Sequence, residues 1–407
     1  MSQPTPAQLP SILPGPRPDG VDEAATSEER GLADTAAAFR LTRRAAICLC
    51  MIVKNEAAVI ERCLASVRGL VDHWVVSDTG STDGTQDLVR AAMADVPGEL
   101  HEDPWRDFGH NRSLNLEHAR GKADYLLLID ADMVLRRHGE LPELTADSYM
   151  IRHGGDLEYR NKRLVRGSLP WRYVGSTHEY LTTDRADREL RELHLDELVV
   201  DHFADGGSRA DKFERDIRLL SADLERDPGN TRTVFYLAQT RRDLGEREAA
   251  IALYRRRVEL GGWPEEVYFS LLQIGELTAD AGDWPRAMDA FVQAWEYRPQ
   301  RLEALYELTS RLRLRSQYQA AYSFASAGIG EPQPDDVLFV RPWVYRWGLL
   351  FELSISAYWV DDFLGSVRAC DKLLEMPDLP DLHREQTVAN REMSLRRLTD
   401  SRRSYEE

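Results

Sequence analysis

Tyr125-Leu126-Leu127-Leu128-Ile129-Asp130-Ala131-Asp132 is the stretch on which the reading of this chain turns. An unbroken apolar run of this length reads as a strand buried on both faces, and two carboxylates stand where it ends. Working outward, two similar units precede it. Ile47–Val53 is an apolar run leading through Lys54-Asn55-Glu56 into Val59, Ile60, Cys63, Leu64 and Val67 at helical spacing. His73–Ser77 reads as a strand running into Asp78-Thr79-Gly80-Ser81-Thr82-Asp83-Gly84, a turn-rich segment with a helix expected from Thr85. Another helix is expected over Asn111–Ala119. The alternation predicts an α/β fold, with a mainly parallel, Rossmann-like sheet covered by helices on both faces. In such sheets ligands gather at the carboxyl ends of the strands. Asp78, Asp83, Asp130 and Asp132 all fall there.

Residues 148–203 are strand-like and aromatic, close with a strand over Glu197–Phe203, and read as the second half of the same domain. After Gly206-Gly207 the pattern is wholly helical and repeats itself. Gly245, Ala250 and Tyr254 recur 37 positions on as Gly282, Ala287 and Phe291. Ala287, Phe291 and Ala294 recur after 33 as Ala320, Phe324 and Ala327, with a weaker copy at Phe363–Leu373. Small residues let paired helices approach and an aromatic fills the gap, so stacked pairs build one core. The expected division is a disordered leader at 1–44, rich in Pro, Ala, Gly and Asp; the α/β domain at 45–205; helical repeats at 206–385; and a C-terminal helix or tail at 386–407.

Composition narrows the function. The 407 residues hold 69 acidic against 52 basic side chains, a net charge of −17, which argues against nucleic-acid binding. No apolar run nears the roughly 20 residues of a transmembrane helix; Ala45–Val53 follows Arg43 and Arg44 but lacks a cleavage site. Cys48, Cys50, Cys63 and Cys370 have neither zinc-site spacing nor the density of a disulfide scaffold. Core thiols in a cytoplasmic protein are the expectation.

The acidic strand end points to a hard cation that shares its coordination with substrate phosphates. Cys50-Met51-Ile52-Val53-Lys54-Asn55-Glu56, then Val75–Thr85, then Leu127–Asp132, in that order and spacing, resemble glycosyltransferase family 2. The likeness runs over about residues 46–205 and takes in Trp105–Arg112 and Thr177-His178-Glu179. The remainder, from Asp211–Asp216 onward, resembles bacterial glycosyltransferases that carry tetratricopeptide repeats; enzymes of similar front end include peptide S-glycosyltransferases and lipopolysaccharide-core glucosyltransferases. The resemblance implies a GT-A fold and an inverting hexosyltransferase-type enzyme. It would move a sugar from a UDP-sugar to a peptide, protein or glycan acceptor with the help of Mn2+ or Mg2+.

The same resemblance implies roles. Asp78 would meet the uracil, Arg112 the phosphates, and Val53 and Glu56 the base and ribose pocket. Asp132 and His202 would ligate the metal with Asp130, which alternatively reaches the ribose or acts through water. Glu179 is the candidate base; the family's usual acidic pair here reads Thr-His-Glu, which keeps His178 as the other candidate. Each residue also has a plainer reading: Asp78 as a turn cap, Arg112 as a helix salt bridge, His202 as a satisfied core histidine, Trp105 and Trp171 as core. Arg255-Arg256-Arg257 and Arg311, Arg313, Arg315 read either as grips for an acidic acceptor or as solvated helix faces. A function of another class, a nucleotide-binding repeat scaffold without catalysis, is disfavoured by the complete set of Asp130, Asp132, Glu179 and His202. The repeats are expected to hold the acceptor, leaving the sugar-nucleotide pocket within residues 47–203.

Overall fold

β1 (Ile47–Val53) lies between two parallel neighbours, β2 (His73–Asp78) and β4 (Tyr125–Leu128). That central place explains why all three runs are apolar without alternation, since both faces are covered. The structure, a computed structural model, describes residues 44–154, 159–184, 189–203, 205–206 and 212–406. The leader expected over 1–44 lies, but for its last residue, outside them. β3 (Gly98–Glu102) extends the sheet in parallel beyond β2. The sequence pattern did not reveal it, because Gly-Glu-Leu-His-Glu is a partly exposed edge with no apolar face.

Past β4 the sheet becomes mixed. β7 (Tyr159–Arg166) runs antiparallel to β4, and β6 (Ser148–Gly154) antiparallel to β7. β10 (Glu192–His202) then pairs in parallel with β6, and β5 (Met133–Arg137) closes the far edge antiparallel to β10. The order is β3-β2-β1-β4-β7-β6-β10-β5. The fold class is α/β, with the parallel strands grouped in the first half. Helices α1 (Ile60–Val67), α2 (Thr85–Ala92) and α3 (Phe108–Ala119) follow the first three strands. Asn115 pins α3 to the sheet: its buried Nδ2 lies 3.1 Å from Met51 O, Val75 O and Ser77 Oγ. A separate hairpin, β8 (Trp171–Val174) with β9 (Tyr180–Thr183), packs against α3.

The rest is helical: α4 (Lys212–Arg226), α5 (Thr231–Asp243), α6 (Arg247–Leu260), α7 (Pro264–Asp280), α8 (Trp284–Tyr297), α9 (Glu303–Leu314) and α10 (Tyr318–Gly328). A π-helical turn at Val344–Gly348 precedes α11 (Leu349–Trp359), α12 (Phe363–Leu374) and α13 (Asp381–Glu406). The repeated Ala250, Tyr254, Ala287 and Phe291 are fully buried between paired helices. Gly275 is what admits Phe291, since a Cβ there would lie 2.5 Å from its ring. The described residues from 46 onward pack as one unit. Among the described residues no helix is long and apolar enough to cross a membrane.

The arginine clusters are largely spent inside the repeats. Arg257 is fully buried and donates through Nε and Nη2 to Glu266, at 3.0 and 2.9 Å. Arg311 pairs with Asp280 and Glu307, Arg313 with Glu352, and Arg315 lies over the Trp284 ring. The segment 331–343 crosses α7 and α9. Val337 and Leu338 donate their N–H groups to Glu265, at 2.9 and 2.7 Å. Phe339 packs on Phe269, and Arg341 pairs with Glu276 and Glu307. The helix face that the repeat pattern offered to an acceptor is therefore partly covered by the chain itself.

The centre of that covering is buried charge. Arg301 and Glu303 are both fully buried and paired at 2.9 Å, with Asp336 at 3.1 Å from Arg301. Removing Glu303 takes away the closer of the two carboxylates that neutralise the buried Arg301. Glu303→Ala is expected to cost about 3–5 kcal/mol in urea unfolding. The double change Arg301→Met with Glu303→Leu is expected to recover most of it, since Asp336 keeps Arg298 as partner.

Candidate active site

A cleft of about 500 Å³ opens at the carboxyl ends of β1, β2 and β4. Its near wall is built by two loops that brace each other. Asn55, at φ +55°, donates its N–H to Ser81 Oγ and accepts from Thr82 N–H through Oδ1, each at 2.8 Å. Glu56 N–H donates to Thr85 Oγ1 at 2.9 Å and Ala57 N–H to Asp83 Oδ2 at 3.0 Å. Val53 O accepts from both N–H and Oγ1 of Thr79. Val53, Glu56 and Thr79 thus reach the cleft wall on a rigid frame. Asp78 is buried at the end of β2. Its Oδ1 accepts from Gly80 and Ser81 N–H at 2.9 and 2.8 Å, while Oδ2, also buried, has no hydrogen-bond partner among the described residues.

The acidic pair on the floor divides. Asp130 faces two guanidinium groups, Arg112 Nη2 at 2.6 Å and Arg163 Nη1 at 3.4 Å. Burial works to raise its carboxyl, but those two charges outweigh it and hold the group well below the usual carboxylate range. Its backbone carbonyl accepts from the Cys63 thiol at 3.3 Å. Asp132 instead stands beside His202, with Oδ2 and Nε2 3.0 Å apart and both residues lining the cleft. Among the described residues no three His, Cys, Asp or Glu side chains form a cation cage.

Arg112 reaches from α3 to both sides of the site. Besides Asp130 it pairs through Nε with Glu179 Oε1 at 2.8 Å. Glu179 is only 13% exposed at its side chain. Burial raises its carboxyl above the ordinary value, with the Arg112 charge pulling the other way. His178 turns away from Arg112 and stacks on Tyr236 of α5, ring centroids 4.2 Å apart. Burial holds its imidazole down at about 4, so it is neutral near pH 7. Trp105 lines the cleft, whereas Trp171 is core, 3% exposed, its indole N–H donated to Arg166 O.

The pocket does not end at residue 203. Lys212, Arg215 and Arg218 of α4 also line it. Recurrence at every third position, which puts side chains on one helix face, was the signal available for them in the sequence. With Lys54 and Arg112 they give the cleft five basic side chains alongside Glu56, Asp130 and Asp132. Such an arrangement suits a group that carries several negative oxygens and leaves with more.

Residues 48–149 match the family model described as glycosyl transferase family 2. The chain carries a family 2 glycosyltransferase domain. A TPR repeat-containing protein of Synechococcus elongatus is 29% identical over 70% of this chain and 75% of its own length. The SPbeta prophage-derived glycosyltransferase SunS of Bacillus subtilis is 24% identical over 51% of this chain, which spans 52% of that relative. The lipopolysaccharide core biosynthesis glycosyltransferase LpsC of Rhizobium meliloti is 30% identical over 37% of this chain and 63% of its own length. Of these relatives one is named for its TPR repeats and two for glycosyltransferase activity.

Replacing Lys212 and Arg218, both exposed, with Ala is expected to weaken binding of inorganic pyrophosphate about 10-fold in total, an exposed charge contact being worth roughly 0.2–1 kcal/mol. Titration calorimetry at two salt concentrations checks it; the loss should shrink as salt rises.

Proposed function

We propose that this glycosyltransferase moves a sugar, with inversion, from a UDP-sugar to a peptide, protein or glycan acceptor. The observation that carries the reading is the Asp130–Arg112–Glu179 chain, which joins the acidic strand end to a buried carboxylate of raised proton affinity. The partnerless Oδ2 of Asp78 would accept the uracil N–H. Lys212, Arg215 and Arg218 would face the diphosphate. Glu179 would take the proton of the attacking acceptor as the acceptor atom bonds to the anomeric carbon and the bond from that carbon to the diphosphate breaks on the opposite side. His178, neutral and turned to the helices, is the weaker candidate for that task.

A divalent cation fits the donor set in one place. The Asp132 carboxylate and the His202 imidazole stand side by side on the cleft, a mixed oxygen and nitrogen pair suited to manganese-type ions. With no third protein ligand among the described residues, substrate oxygens and water would complete the shell, as is usual for ions bound with phosphates. When bound, the ion would neutralise charge developing on the departing diphosphate. Asp130, held by two arginines, would support Asp132 and the ribose side rather than ligate directly.

Two tests follow from this reading. Asp132→Ala is expected to abolish turnover of a UDP-sugar panel and to weaken Mn2+ binding measured by calorimetry, and chelator should silence the wild type; full activity in excess chelator would count against the ion. Glu179→Gln should lower turnover about 10²–10⁴-fold with UDP affinity unchanged. The base works ionised, so wild-type activity should fall as pH drops through its raised pKa, above the ordinary value of about 4.3. The Gln variant should lose that acid limb.

A further inference from the structure

The turn that carries Glu179 is held from outside the transferase domain. It spans residues 175–179 between β8 and β9, and its centre is strained, with His178 at φ +50°, a region that costs a residue with a Cβ about 1–3 kcal/mol. Such a conformation persists only when its surroundings impose it. Arg112 pairs with Glu179 itself, but most of the contacts on the residues before it come from α4 and α5. Asp223 accepts from Ser176 Oγ at 2.5 Å and from Ser176 N–H at 3.2 Å. Asp216, seven positions earlier on the same helix, accepts from Thr177 Oγ1 at 3.2 Å. Arg232 donates through Nε and Nη2 to His178 O, at 3.2 and 3.1 Å. Tyr236, one helical turn on, stacks flat against the His178 ring. From the transferase side the turn receives Phe108 N–H, donated to Ser176 O at 3.0 Å.

We infer that Arg232 and Tyr236, with Asp216 and Asp223, are positioning residues for Glu179, which makes α4 and α5 part of the catalytic apparatus. The inference rests on Glu179 as base. Each contact grips the residues immediately before Glu179, and none touches the cleft itself. Glu179 must stay within reach of the acceptor proton while remaining paired to Arg112, and a displacement of about 1 Å at a reacting group can cost on the order of 10² in rate. A cut after Phe203 or after Asp227 would therefore disturb the base as well as any acceptor contact.

The experiment uses the full chain and hydrolysis of whichever UDP-sugar in a panel it cleaves fastest, with water as acceptor. Arg232→Ala and Tyr236→Leu are expected to lower kcat about 10- to 100-fold with KM for the UDP-sugar within about twofold. Arg232→Lys, which keeps one donor, and Tyr236→Phe, which keeps the stacking face, are expected to recover most of it. The deciding arm repeats Arg232→Ala in the Glu179→Gln background. Residues that act through Glu179 should cause no further loss there, whereas a general structural defect would lower both backgrounds equally. Equal losses in both backgrounds, or a raised KM with kcat intact, would overturn the positioning role while leaving Glu179 as base. Wild-type hydrolysis by Glu179→Gln would overturn the base reading and this inference with it.

Discussion

Arg112 stands half-buried between two carboxylates, and the geometry of the site depends on that single guanidinium. A buried acid without a partner would take up a proton, and two acids near each other would repel. By pairing with Asp130 on one side and Glu179 on the other, Arg112 lets both remain in a dry site at a fixed separation. It does not hold them equally. Asp130 has Arg163 as a second cation and is driven firmly to its ionised form. Glu179 has a share of Arg112 and a weaker pull from Arg163, and burial wins. Two carboxylates on one arginine thereby acquire opposite proton affinities, which is how acid–base roles are usually separated.

Much of this was legible in the chain. Apolar runs ending in acidic turns fixed the parallel strands, because a strand covered on both faces has no polar residues to confuse the pattern. The same logic hid β3, whose edge position permits Glu99, His101 and Glu102 among its five residues. The helical repeats were visible through Ala and Phe spacing, since close helix contacts tolerate few residue types. What the sequence could not give was which way side chains turn once distant segments meet. Arg112 as a phosphate contact and as an internal brace look identical in one dimension; so do Trp105, on the cleft, and Trp171, in the core.

The motif residues divide in a similar way. Asn55, Ser81, Thr82, Asp83 and Thr85 hydrogen-bond to one another across the two loops or to the adjoining backbone. Their part is to keep the wall rigid while Val53, Glu56 and Thr79 face the cleft. The signature is therefore largely a description of a frame, while the residues to which the proposed chemistry is assigned, Arg112, Glu179, His202 and the cations of α4, stand at wider spacing.

Stacked helix pairs ordinarily touch only their neighbours, so an array can lose or gain a unit and melt piecemeal from its ends. The segment 331–343 removes that freedom here. By tying Glu265 and Phe269 of α7 to a stretch that emerges only after α10, it laces the α7–α8 pair to the α9–α10 pair from outside the stack. Such an array should behave less like a row of independent tiles and more like a single globule, of fixed length and unable to fray in the middle. A repeat could not be deleted or duplicated between α7 and α10 without leaving the lacing too long or too short.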